Sequence, residues 1–138
     1  MILLDTNVLS ALMQHTPDPR VVQWLDNQPG ESIWTSSITV FEIRTGIELL
    51  ESGRRRKRLE QNFSQLLAED LSGRVQPFDQ SAALAAGSIA AARQSSGRTV
   101  EIRDVQIAGI ATSRRATLAT RNTRHFEDTG VRLVDPWN

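Results

Sequence analysis

The chain has 138 residues, enough for one domain that buries about two-thirds of the surface it exposes when unfolded. Its 16 basic and 16 acidic residues cancel, so no net field draws it to nucleic acid or to a membrane surface. It has no cysteine, which excludes disulfides, thiolate zinc sites and a cysteine nucleophile.

Met1–Leu4 is too short for a signal-peptide core, and no stretch reaches the length of a membrane span. The expectation is a soluble, cytoplasmic single domain over residues 1–138 with no membrane partner. The basic set is nearly all arginine, with Lys57 the only lysine, and arginine suits bidentate phosphate contacts.

Taken in order, the elements alternate strand and helix, which predicts an α/β fold with a central parallel sheet and helices on its faces. Residues 1–5 are an apolar strand ending in Asp5-Thr6-Asn7, followed by a short helix to about Gln14. Pro17-Asp18-Pro19 restarts the chain, and Val21, Val22, Trp24 and Leu25 have helical spacing before Pro29-Gly30. Residues 32–36 read as a second strand. A helix follows from about Ile38 to Glu51, with Gly53 just past its end, a favoured position for glycine. The next helix covers about Arg55 to Leu71, with Leu59, Phe63, Leu66 and Leu67 as its apolar stripe. Arg74 to Phe78 reads as strand, and Asp79 as the cap of an alanine-rich helix reaching about Ser95. Residues 102–115 are helix, while residues 117–120 and 131–134 are the last strands.

Three acids stand where a fold has little use for them. Asp5 ends a buried strand, and in open α/β sheets ligands bind beyond the carboxyl ends of the strands. A helix cap is the plainer role for the same residue, because Asp, Thr and Asn all favour such positions. Glu42 falls at helical spacing between Ile38, Phe41, Thr45, Gly46 and Leu49, inside the stripe expected to face the core. A carboxylate there needs a cation or a proton, and an arginine ion pair is the plain alternative. Asp104 shares a face with Ile107, Ala108 and Ala111, although its place in a first helical turn also suits the helix dipole.

One strand-end acid and two helical acids make chemical sense together if they converge on a divalent ion. Magnesium takes oxygen ligands and keeps waters for substrate phosphates. A polar loop, Thr120-Arg121-Asn122-Thr123-Arg124-His125, follows a later strand at the same kind of sheet edge. Thr120, Asn122 and His125 can serve an ion directly or through water, or simply form an Asx-type turn.

Together these segments resemble the PIN-domain ribonucleases, in particular the VapC toxins and their FitB-like branch. The blocks that carry the likeness are Ile2-Leu3-Leu4-Asp5-Thr6-Asn7-Val8-Leu9-Ser10, residues 36–46 around Glu42, and Pro77-Phe78-Asp79. It continues through residues 102–108 around Asp104, residues 119–126, and Asp135-Pro136-Trp137. The resemblance implies a PIN-domain-like, Rossmann-like α/β/α sandwich and an endoribonuclease that depends on magnesium or manganese. It places the metal-binding acids on Asp5, Glu42 and Asp104, beside which Thr6, Thr120 and His125 read as supporting polar groups. A fourth catalytic acid falls on Asn122, here neutral, and another common acidic position falls on His125. The implied partners are an RNA substrate, a second copy in a homodimer, and a cognate VapB-like antitoxin through which alone operator DNA is reached.

The run Arg54-Arg55-Arg56-Lys57-Arg58 opens a helix against its dipole, so helix stability does not favour it. It reads either as a solvated turn or as a sequence-independent contact to RNA phosphates. With no tyrosine and few other aromatics, an aromatic base-stacking platform is not expected. Two other classes compete with this reading. Phosphoryl transfer through Asp5 as nucleophile lacks the adjacent acid and the late-strand lysine that such enzymes use. A non-catalytic binding module is favoured by the neutral Asn122.

Overall fold

The computed structural model describes all residues 1–138. Its elements are β1 (Ile2–Leu4), α1 (Thr6–Leu12), α2 (Pro19–Asp26), β2 (Ile33–Ser36), α3 (Ser37–Glu48), α4 (Arg54–Gln65), β3 (Val75–Gln76), α5 (Gln80–Ser95), α6 (Ile102–Arg114), β4 (Thr117–Ala119) and β5 (Arg132–Val134). The five strands form one sheet in the order β3-β2-β1-β4-β5, and every pairing is parallel. β1 lies at the centre, with Ile2 opposite both Ile33 and Thr117.

Successive residues of a strand point to opposite faces, and the two cores follow that period. Leu4 and Ala119 enter one apolar cluster with Val8, Leu9, Ile43, Ile47 and Phe63, from α1, α3 and α4. Leu3 and Leu118 enter the other with Ala82, Ile107, Ala108, Ile110 and Phe126, from α5, α6 and the loop after β4. The expected three-layer sandwich is therefore present.

Because all strands are parallel, their carboxyl ends share one edge. The chain leaves β1 for β2 on one side and reaches β4 on the other, so the order reverses beside β1. Asp5 follows β1 and Thr120 follows β4 at that reversal, where a crevice forms in such sheets.

Several boundaries differ from the sequence expectations. The strands are only two to four residues long. α3 stops at Glu48, so Gly53 does not close it and instead immediately precedes α4. The helix expected to reach Leu71 ends its α-helical geometry at Gln65 and widens over Leu66–Asp70. That widening keeps Leu66 and Leu71 buried while the chain turns towards β3.

The stripe assigned to α3 also needs correcting. Its core-facing residues are Thr39, Ile43 and Ile47, whereas Phe41 is 57% exposed and Leu49 80% exposed. Helical spacing fixes which residues share a face, but α3 carries two apolar arcs and the sheet covers only one. Glu42 stands at the border between them.

Candidate active site

Asp5 fills both roles that its sequence position allows. Its Oδ1 accepts the Thr6 amide at 2.8 Å, capping α1. Its Oδ2 accepts the Thr120 hydroxyl at 2.7 Å and the Asn7 side-chain amide at 3.3 Å. The residue is buried, and no lysine or arginine pairs with it. Burial pushes its carboxyl above the ordinary range, against the pull of Thr120 and the Thr6 amide, and the nearby Asp104 charge pushes it further.

Glu42 reaches the same place through Thr6, whose hydroxyl donates to Glu42 Oε1 at 2.9 Å and lies 3.2 Å from the Thr39 hydroxyl. The arginine that an ion-pair role asks for is present but loose. Arg103 is half exposed and stands 3.7 Å from Glu42 Oε2, beyond hydrogen-bond range, with its guanidinium over the Phe41 ring.

Asp104 lies in the first turn of α6, on the face of the buried Ile107, Ala108 and Ala111. Burial raises its carboxyl too, and His125 opposes that rise most strongly. His125 Nδ1 lies 3.3 Å from Asp104 Oδ2. Asn122 donates its backbone N–H to the Thr120 hydroxyl at 3.0 Å, while its exposed side chain faces solvent.

Asp5, Thr6, Glu42, Asp104, Thr120 and His125 are thus brought to one edge of the sheet. The carboxylates do not close into a group of three tight enough to grip an ion directly. The donor chemistry nevertheless fits a hard cation. Asp5, Glu42 and Asp104 offer carboxylate oxygens and Thr6 and Thr120 hydroxyls, burial destabilises Asp5 and Asp104 as anions, and no lysine or arginine neutralises Asp5.

The basic run divides. Arg55 lines a groove of about 240 Å³ together with Thr6, Glu42, Gly46 and Leu59. Arg56 is held away from it by Glu48 at 2.7 Å and Glu60 at 3.0 Å. Sequence reasoning passed over Asn7, whose side chain touches Asp5 and Thr120 and accepts the Arg121 amide at 3.1 Å. Its place in the opening motif was the available signal. Arg103 was missed as well.

The raised carboxyls have a consequence for stability. A group whose pKa is higher in the fold favours the folded state below its unfolded value, near 3.8 for Asp5, and that contribution is lost as pH rises through the folded value. Asp5→Asn is therefore expected to raise the thermal midpoint of the metal-free protein at neutral pH more than near pH 3. Equal shifts at both pH values would mean that ionised Asp5 carries no burial penalty.

A family model for the PIN domain matches residues 2–131, and the chain belongs to that family. It is 39% identical over 137 residues to the plasmid stability protein StbB of Pseudomonas syringae pv. tomato, covering 99% of each chain. It is 36% identical to the VapC ribonuclease Y4jK of Sinorhizobium fredii, covering 99% of this chain and 98% of that one. It is likewise 36% identical to the toxin FitB of Neisseria gonorrhoeae, covering 100% and 99%. The crystal structure of FitAcB from Neisseria gonorrhoeae superimposes with a TM-score of 0.90 over 100% of this chain and 99% of that one, at 36% identity. No helix here is long and apolar enough to cross a membrane.

Proposed function

We propose that this chain is the toxin of a toxin–antitoxin pair and acts as an endoribonuclease that needs magnesium or manganese. The observation that carries this reading is Asp5: a buried carboxylate at the switch point of the sheet, without a cationic partner, joined through Thr6 to Glu42 and repelled by Asp104. The names of the relatives supply the reaction class, and the local chemistry supports the cation.

Asp5, Glu42 and Asp104 would hold the ion, in part through water. Thr6 and Thr120 fix the Asp5 oxygens, and Thr6 also fixes Glu42. Asn122 offers a neutral oxygen or amide from the loop. A bound ion would supply activation of water for attack on phosphorus and charge neutralisation at the leaving oxygen. Incubating the purified protein with RNA in magnesium and in EDTA tests the reading: cleavage is expected only with magnesium.

A non-catalytic nucleic-acid- or protein-binding module is the second reading. It is favoured by the neutral Asn122 and by carboxylates that do not close into a three-ligand group. RNA binding without cleavage in either buffer would establish it.

Arg55 is the member of the basic run best placed to meet RNA phosphate. Arg55→Ser is expected to reduce the slope of binding against salt by about one counterion. Arg56→Ser should leave it nearly unchanged, because Glu48 and Glu60 already compensate that charge. Slopes unchanged from the parent protein in both variants would make the run a solvated face of α4.

The homodimer is supported by exposed apolar side chains around α3. Phe41 lies on α3 and Leu49 just past its end, and Ile102 adjoins Arg103, which covers the Phe41 ring. Phe41→Asp is expected to shift a dimer to a monomer in light scattering, and an unchanged mass would place the interface elsewhere. The cognate VapB-like antitoxin, and operator DNA reached through it, belong to the same proposal. A stable complex with the product of the neighbouring reading frame that suppresses cleavage is the expected result.

A further inference from the structure

We infer that buried Arg93 and surface Asp128 form a clamp that positions His125 against Asp104, an inference that rests on the nuclease reading of the site. Arg93 sits near the end of the alanine-rich α5 and is 5% exposed. Its Nε lies 2.9 Å from Asp128 Oδ2 and its Nη2 lies 3.0 Å from Asp128 Oδ1. This two-pronged geometry suits a guanidinium facing a carboxylate. The same Nη2 donates to the backbone carbonyl of His125. Arg98 adds a second positive charge 3.8 Å from Asp128.

A cation near the end of a helix is favoured by the helix dipole, but that interaction needs no burial. Burying a guanidinium is costly unless geometry and hydrogen bonds compensate it, and here Asp128 and the His125 carbonyl supply that compensation. It is not needed merely to tether the loop. Phe126 is already in the core, and the Thr129 hydroxyl closes the turn on the Phe126 carbonyl at 2.6 Å. What the clamp adds is a fixed carbonyl at His125, whose ring meets Asp104 at 3.3 Å. The charge of Arg93 also reaches Asp104, where with His125 it opposes the upward push of burial. Arg93 is thus a positioning residue that acts through His125.

The test combines Asp128→Asn, which keeps the side-chain shape, with His125→Ala, using RNA cleavage and amide hydrogen exchange on the full chain. Asp128→Asn is expected to lower kcat about tenfold with KM little changed, since misplaced groups cost turnover rather than binding. In the His125→Ala background the same substitution should add no further loss. The His125 and Phe126 amides should exchange faster while α5 keeps its protection. Equal losses in both backgrounds, or unchanged exchange, would overturn the clamp. If the unmodified protein cuts no RNA, the nuclease reading falls, and exchange alone then decides whether the clamp orders the loop. Should Asp128→Asn fail to fold, Arg93→Lys, which keeps the charge and loses the fork, repeats both measurements.

Discussion

Asp104→Asn is expected to abolish magnesium-dependent RNA cleavage, with a loss of about 100-fold or more, while the protein folds as well as before or better. The amide is nearly isosteric with the carboxylate, so the contacts of α6 with Ile107, Ala108 and Ala111 stay filled. What disappears is an anion that burial already disfavours and that repels Asp5. Removing it relieves strain in the metal-free fold and takes away a ligand charge. Activity and stability should therefore move in opposite directions, a trade-off common where a site is held in an unfavourable state. Circular dichroism on heating and a cleavage assay with titrated magnesium measure the two halves. Full activity in this variant would remove Asp104 from the site, and lost activity with a lowered midpoint would make its role structural.

The parts of this site that were legible in the sequence depend on local rules. Asp5 stands out because an apolar strand ends on it, and the strand period then places Leu4 and Leu3 in opposite cores. Asp104 is legible because small residues share its face and small faces are packed faces. Glu42 was picked out for a partly mistaken reason. Periodicity gave it apolar neighbours, but Phe41 and Leu49 lie outside the core, and only the assembled sheet decides which arc is covered. The basic run reads as one feature in sequence yet separates in space, since Arg56 finds Glu48 eight residues away while Arg55 turns into the groove. Arg93 was illegible for a related reason. A single arginine near the end of an alanine-rich helix looks like an ordinary response to the helix dipole. Its burial depends on Asp128, 35 residues further on, and on a loop whose course the sequence does not specify.

The packing of α5 on α6 gives the second large effect, because it sets where both Asp104 and Arg93 stand. Gly109 of α6 faces Ala82 and Ala86 of α5. A Cβ added there would lie 2.5 Å from the Ala82 carbonyl oxygen, 2.7 Å from the Ala86 Cβ and 2.8 Å from the Ala86 nitrogen. These are backbone atoms and a Cβ, so no side-chain rotation clears them and the helices must separate. Gly109→Ala gains about 1 kcal/mol of intrinsic helix propensity. Overpacking costs about 1–3 kcal/mol, occasionally more, and at so rigid a contact the upper end applies. A net loss of about 2 kcal/mol corresponds to a fall of roughly 4–16 °C in the thermal midpoint for domains in this size range. Gly87, on α5, supplies the opposite case: an added Cβ there meets nothing within 4 Å. Gly87→Ala should therefore raise stability by up to about 1 kcal/mol. Opposite signs for two glycine-to-alanine changes in neighbouring helices separate packing from propensity. The separation matters for chemistry as well, since moving α6 outward carries Asp104 away from Asp5. Gly109→Ala should thus lose RNA cleavage even below its melting temperature, whereas Gly87→Ala keeps it. Matching changes in the two variants would mean that the close approach of the helices does not set the geometry of the acidic edge.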